Sequence, residues 1–323
     1  RRYIKIQFNP NSPELAGANG WKITDVETNE SFSFNKVGMP AVELGFFNPG
    51  QGKLYKMTSI PKSGGVLAGD EVISGESFTC EDTIFSNGYN ITIGAGTNIK
   101  FTDSSCIVMN GGVFTMGDQQ VSGSQNITFD AASGNSWRGH SFTGTEVHIY
   151  GASFTGLAND SVYALNMIDC PVVDIRGTTF NTAGTLKGAV NAVYYANDDG
   201  ATVNLYMGGN TFTATGSTIP TINVSSFAGM TTPLIIENNI FTNGNTTIFL
   251  SGVIGGAIKN NNISENYTGI SLLSSYIDVS GNTISSTVNG STGIFAAGGS
   301  EVKMNPAGPK KFGGMNNLSN EGT

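Results

Sequence analysis

The chain has 323 residues and a net charge of −8, with 44 Gly, 34 Asn and only 12% Asp, Glu, Lys and Arg, against roughly 25% charged residues in an ordinary soluble domain. The shortage of Ala, Leu, Glu and Lys beside Thr, Ser, Val, Ile and Phe argues against all-α and doubly wound α/β folds, and 38% hydrophobic residues argue against disorder. Sixteen scattered basic residues give no nucleic-acid footprint, and no run of 18 apolar residues is long enough to span a bilayer.

Residues 1–62 come first and lack any repeat; they hold Trp21, several Pro and Phe, and the stretch GFFNPGQGKLYKM. That stretch resembles the closing strand of small β-sandwiches found in secreted carbohydrate-active enzymes, so 1–62 is expected to be a β-rich segment. The linker SIPKSGG at 59–65 marks the boundary, and residues 63–323 are expected to form one solenoid. Cys80 and Cys106 lie 26 residues apart, close to one coil. They are therefore expected to approach disulfide range as an optional pair, with Cys170 a buried thiol.

From about residue 147 the chain repeats: VHIYGASFT, VDIRGTTFN, LYMGGNTFT, IIENNIFTN, AIKNNNISE and DVSGNTISS. The last large apolar residue of each unit is Phe154, Phe180, Phe212, Phe241, Ile263 and Ile284, at spacings of 26, 32, 29, 22 and 21 residues. Three residues earlier stand Gly151, Gly177, Gly209, Asn238, Asn260 and Gly281, the residue types that enter the left-handed backbone region at low cost. Next to them, Asn210, Asn239, Asn261 and Asn282 are placed to form an amide ladder. Five before each mark the residue is always apolar: Ile149, Ile175, Met207, Ile236, Ile258, Val279. Strand, left-handed bend and strand recurring every 21–32 residues describe a parallel β-helix. At the end, Leu318 is the expected next mark, and the uncapped finish reads as a segment of a larger protein.

The first coils carry a further likeness. Ile93, Gly96, Thr97, Ile99 and Phe101, then Val108, Gly111, Gly112 and Phe114, then Ile127, Phe129, Trp137 and Gly139 resemble the N-terminal coils of secreted bacterial right-handed β-helix proteins of the pectate-lyase-like superfamily. The resemblance implies an all-β, right-handed solenoid and an extracellular or cell-surface location. It also implies a polysaccharide or surface glycan as partner; the uncapped end adds flanking domains of a longer chain as expected partners.

Chemistry is harder to find. The superfamily's pectin hydrolases carry N-T-D, D-D, G-H-G and R-I-K elements; this chain offers only Asp198-Asp199 and Arg138-Gly139-His140. Alternation places His148 and Tyr150, Asp174 and Arg176, and Tyr206 outward on neighbouring strands, with Glu237 and Lys259 further along. This is the most chemically mixed face, either a sugar-binding groove or a solvated sheet with cross-coil ion pairs, and the latter is preferred because fold analogy does not supply function. Longer coils put Tyr194, Tyr195 and Asp199 in loops of residues 156–170, 184–200 and 214–232, which are expected to rim that face. No cofactor is implied, although Asp198 and Asp199 could offer oxygens to calcium. The functional expectation is a non-catalytic spacer or glycan-binding module of a larger secreted protein. The alternative is a polysaccharide lyase or glycoside hydrolase.

Overall fold

The computed structural model describes residues 2–6, 20–35, 42–60, 64–67, 69–103, 105–132, 137–156, 163–182, 188–195, 203–230, 234–304 and 317–320. Among these residues, strands and turns account for all regular structure. The N-terminal part makes two small antiparallel sheets. Arg2–Ile6 pairs with Val42–Phe47, and Gly20–Asp25 runs between Ser31–Asn35 and Tyr55–Ile60. Trp21, Ile23 and Ile60 are buried. Lys22 and Lys56 reach Asp82 and Glu81 in the first coil at 3.5 and 3.6 Å.

From Gly65 onward the chain is a right-handed parallel β-helix with three strands per coil. We name the three faces in the order the chain meets them. The first sheet holds strands such as His140–Thr143, Tyr163–Ile168, Gly188–Tyr194 and Ile222–Met230. The second holds Glu146–Tyr150, Val172–Arg176, Asn204–Gly208 and Leu234–Glu237. The third is a ten-stranded parallel sheet running from Ser77–Cys80 to Asn317–Asn320. One long strand, Thr246–Lys259, passes through the corner between the first two sheets. It turns there at Gly252, Gly255 and Gly256, with φ of 66°, 89° and 104°.

Register explains why these residues repeat. On the third sheet Phe78, Ile99, Phe129, Phe154, Phe180, Phe212, Phe241, Ile263, Ile284 and Leu318 pair one with the next. The rings from Phe154 to Phe241 stack in parallel at 4.9, 5.0 and 4.7 Å. A parallel sheet in register sets like residues about 4.8 Å apart, so rings sharing a rotamer stack with no side-chain adjustment. The column five residues earlier, Ile149 to Val279, is buried throughout. Between the two columns the chain bends with positive φ at Gly151, Gly177, Gly209, Asn238, Asn260 and Gly281.

The bend is braced by amides. Asn210 Nδ2 donates to Asn239 Oδ1 at 3.0 Å, Asn239 to Asn261 at 3.0 Å, and Asn261 to Asn282 at 2.9 Å. The backbone N–H of each of these three donors also donates to the same oxygen. The second amide hydrogens go to the carbonyls of Ile175, Met207, Ile236 and Ile258. All four asparagines are buried, and each such hydrogen bond contributes about 1 kcal/mol net while leaving few buried polar groups unmet.

Candidate functional site

The second sheet brings the outward candidates together. His148 pairs with Asp174 and Asp174 with Tyr206, while Tyr150 pairs with Arg176 in the neighbouring column. Glu237 and Lys259 continue that second column.

The contacts form one connected network. His148 Nδ1 lies 3.2 Å from the Tyr150 hydroxyl, which donates to Asp174 Oδ2 at 3.0 Å. Because the phenol hydrogen goes to Asp174, the network assigns a proton to His148 Nδ1. His148 Nε2 is 3.7 Å from Glu146. Arg176 Nε donates to Asp174 Oδ1 at 2.6 Å, and the guanidinium lies over the Tyr206 ring at 4.3 Å. Turned so that its oxygen faces the guanidinium, the Gln119 amide accepts from Arg176 at 3.2 and 3.3 Å. The Tyr206 hydroxyl donates to Glu237 at 2.8 Å, and Lys259 closes the row on Glu237 at 3.0 Å.

The electrostatics follow from these contacts. Burial, then the Asp174 carboxylate, pushes the Tyr150 phenol up to about 12. Burial and the Glu237 contact raise Tyr206 as well. Burial alone would raise Glu237, but the Tyr206 hydroxyl and the Lys259 ammonium outweigh it and hold its carboxyl below the usual range. Neither phenol ionises near neutral pH, so neither is suited to act as a general base.

Other candidates fall elsewhere. Tyr194 departs from its expected place in a loop: by alternation it faces inward, it is buried, and its hydroxyl has no hydrogen-bond partner, so it cannot line a groove. Tyr195 is exposed at the end of the first sheet and stacks on Phe227 at 5.3 Å; Phe227 gave no signal in the sequence because it stands in an irregular stretch of its strand. Asp198, Asp199 and the loop residues 157–162, 183–187, 196–202 and 231–233 lie outside the described residues. Residues 214–221 join the third sheet to the first, across the coil from the second-sheet face they were expected to rim. Glu146 could have been found by counting back two from His148. Gln119 lies in a turn with no periodic signal.

His140 is sealed in the core. Its Nδ1 accepts from the Ile107 N–H at 2.9 Å, and its ring stacks on Trp137 at 4.7 Å, surrounded by Phe101, Phe129, Phe142 and Phe154. Burial pushes this imidazole down to about 3. Cys80, Cys106 and Cys170 are buried thiols. The optional Cys80–Cys106 disulfide is not formed; Cys80 Sγ donates to the Asp82 carbonyl at 3.0 Å, and Cys106 Sγ lies 3.7 Å from the Thr83 hydroxyl. Burial pushes Cys80 up to about 12 and Cys170 up to about 11, and raises Cys106 too.

Three faces of parallel strands, a stacked interior and a laddered bend define a β-helix solenoid. The sequence model of a family described as "Periplasmic copper-binding protein (NosD)" matches residues 138–305, more than half of the chain. The chain belongs to the NosD family. Searches of curated proteins and of solved structures give no match.

The family description names copper, and the donor set can be tested against it. Copper favours imidazole, thiolate or thioether ligands. The chain has two histidines and three cysteines, all among the described residues. His140 is enclosed by rings, and His148 stands alone with an oxygen network. The thiols are buried and resist becoming the thiolates a metal needs. Met109, Met116, Met167 and Met207 are core side chains. Among the described residues no three His, Cys, Asp or Glu side chains gather as a metal-holding group. These residues do not fit a copper centre. No helix among the described residues is long and apolar enough to cross a membrane.

Proposed function

We propose that the chain is a non-catalytic, rigid β-helix module that works outside the cytoplasm as a spacer or surface element. The observation that carries this reading is the second-sheet network. Every charged or phenolic group in it from His148 to Lys259 is engaged by another protein group, which is how a structural lattice is built. A hydrolase or lyase face would hold an acid or base toward substrate, with a pKa tuned near the working pH. The periplasmic wording of the family description and the resemblance of the first coils to secreted β-helix proteins both support export.

Rigidity follows from parallel registry along the solenoid, with the Phe stack and the Asn ladder linking the coils from Phe154 to Asn282. Ten strands on the third sheet, at about 4.8 Å per coil, span about 45 Å. Small-angle scattering tests this directly. A rod-like profile whose cross-section stays constant supports the spacer; a compact or flexible particle contradicts it.

A further inference from the structure

The corner where the third sheet passes into the first holds the most promising unassigned feature. Turns from successive coils enclose an open cleft of about 570 Å³ there, within the roughly 300–1,000 Å³ range of small-molecule sites. Its lining includes Ser217, Thr218, Asn243, Asn245, Glu265 and Tyr267, with no Lys or Arg among the residues that line it. Tyr267 is 56% exposed, so its ring is not used in core packing.

The backbone adds a second observation. Two residues after the buried mark, consecutive coils place Asn243 and then Glu265 in the left-handed region, with φ of 62° and 56°. Their N–H groups donate to Ser264 and Ser285 of the following coils at 3.2 and 3.0 Å, so the two positions do the same structural work. Asn takes this conformation readily, whereas Glu does so at a cost. The chain therefore holds a carboxylate where the easier residue is the one it uses a coil earlier. Strained residues of this kind gather at binding sites. Glu265 Oε2 accepts from the Thr287 hydroxyl at 2.6 Å and its N–H at 3.4 Å, which fixes the carboxylate against the neighbouring coil.

The geometry points to a binding cleft for a neutral saccharide. Sugar hydroxyls both donate and accept, which matches a carboxylate flanked by amides and hydroxyls. The apolar face of a pyranose suits an exposed Tyr ring, and a lining without cations gives no counter-charge for a uronate. The cleft adds a ligand to the proposed rod and does not rest on it, since an unliganded spacer keeps its scattering profile.

The test is calorimetric titration of the full chain with cellotetraose, mannotetraose and chitotetraose, using the parent, Tyr267→Ala and Glu265→Asn. The parent should bind at least one, and both variants should weaken it at least about tenfold, the effect of losing a ring contact or a charge-assisted hydrogen bond. Both variants should keep a cooperative thermal melt, so that weaker binding is not loss of the fold. Parent binding to none of the three, or parent-like binding by both folded variants, overturns the proposal.

Discussion

Two stretches of the solenoid interior solve packing differently. From Phe154 to Phe241 the rings lie within a few degrees of parallel, stacked coil on coil. Toward the N-terminus, Phe129 of the same column meets Phe101, two residues beyond it in register, at 69° and Phe154 at 79°, with Trp137 and His140 packed against them. Regular stacking needs one residue type at one rotamer on every coil. Where residue types vary, the interior becomes an edge-to-face cluster, and such a cluster can enclose a misfit such as an imidazole with an unpartnered Nε2. The ladder half should be stable at all pH values that keep its neutral side chains intact, and the cluster half should fail first in acid.

The largest effect should come from breaking the stack. Phe212→Ala removes a ring packed between Phe180 and Phe241 and should cost about 3–5 kcal/mol, read as a shift in denaturant midpoint at constant slope. Asn261→Ala should come next, at about 1–3 kcal/mol, because it leaves the Asn239 amide and backbone donors without their shared buried acceptor. Hydrogen exchange at Asn239 should rise in that variant.

His140 supplies the acid-sensitive contrast. Its folded pKa of about 3 lies below the ordinary 6.5, so the unfolded chain binds the proton more readily. The stability linked to this group is whole above about pH 6.5 and falls by about 1.4 kcal/mol per pH unit below it, until the folded pKa is reached. His140→Gln should flatten that part of the stability profile between pH 6 and 4. An unchanged slope would place the acid sensitivity elsewhere. The smallest effect belongs to Arg176→Ala. Its side chain is 42% exposed, and pairs of this kind contribute about 0–1 kcal/mol. Thermal melts at low and high salt should differ little from the parent.

What could be read from the sequence divides along the same line. The six repeating units show in the sequence because a solenoid repeats its environment. The buried marks, the positive-φ bends and the Asn ladder each recur at a fixed offset, and alternation was enough to place His148, Asp174 and Arg176 outward. Departures from the period were not legible. Tyr194 looked like a loop aromatic, yet it lies inward because its strand runs on to residue 194. Glu265 reads as an ordinary polar turn residue until its φ is known, and the cleft around it is assembled from coils that a linear reading separates by 20 or more positions. His140 sat in a suggestive Arg-Gly-His triplet whose side chain the strand turns into the core.

Whether the second-sheet face is a structural lattice or a catalytic centre is decided by a turnover assay on acidic and neutral polysaccharides with and without calcium. Reducing-end and unsaturated-product release should not exceed background for the parent, and should be indistinguishable from that of Asp174→Asn. Release above background by the parent that disappears in Asp174→Asn, with the fold intact, would contradict the structural lattice and make the face an active site.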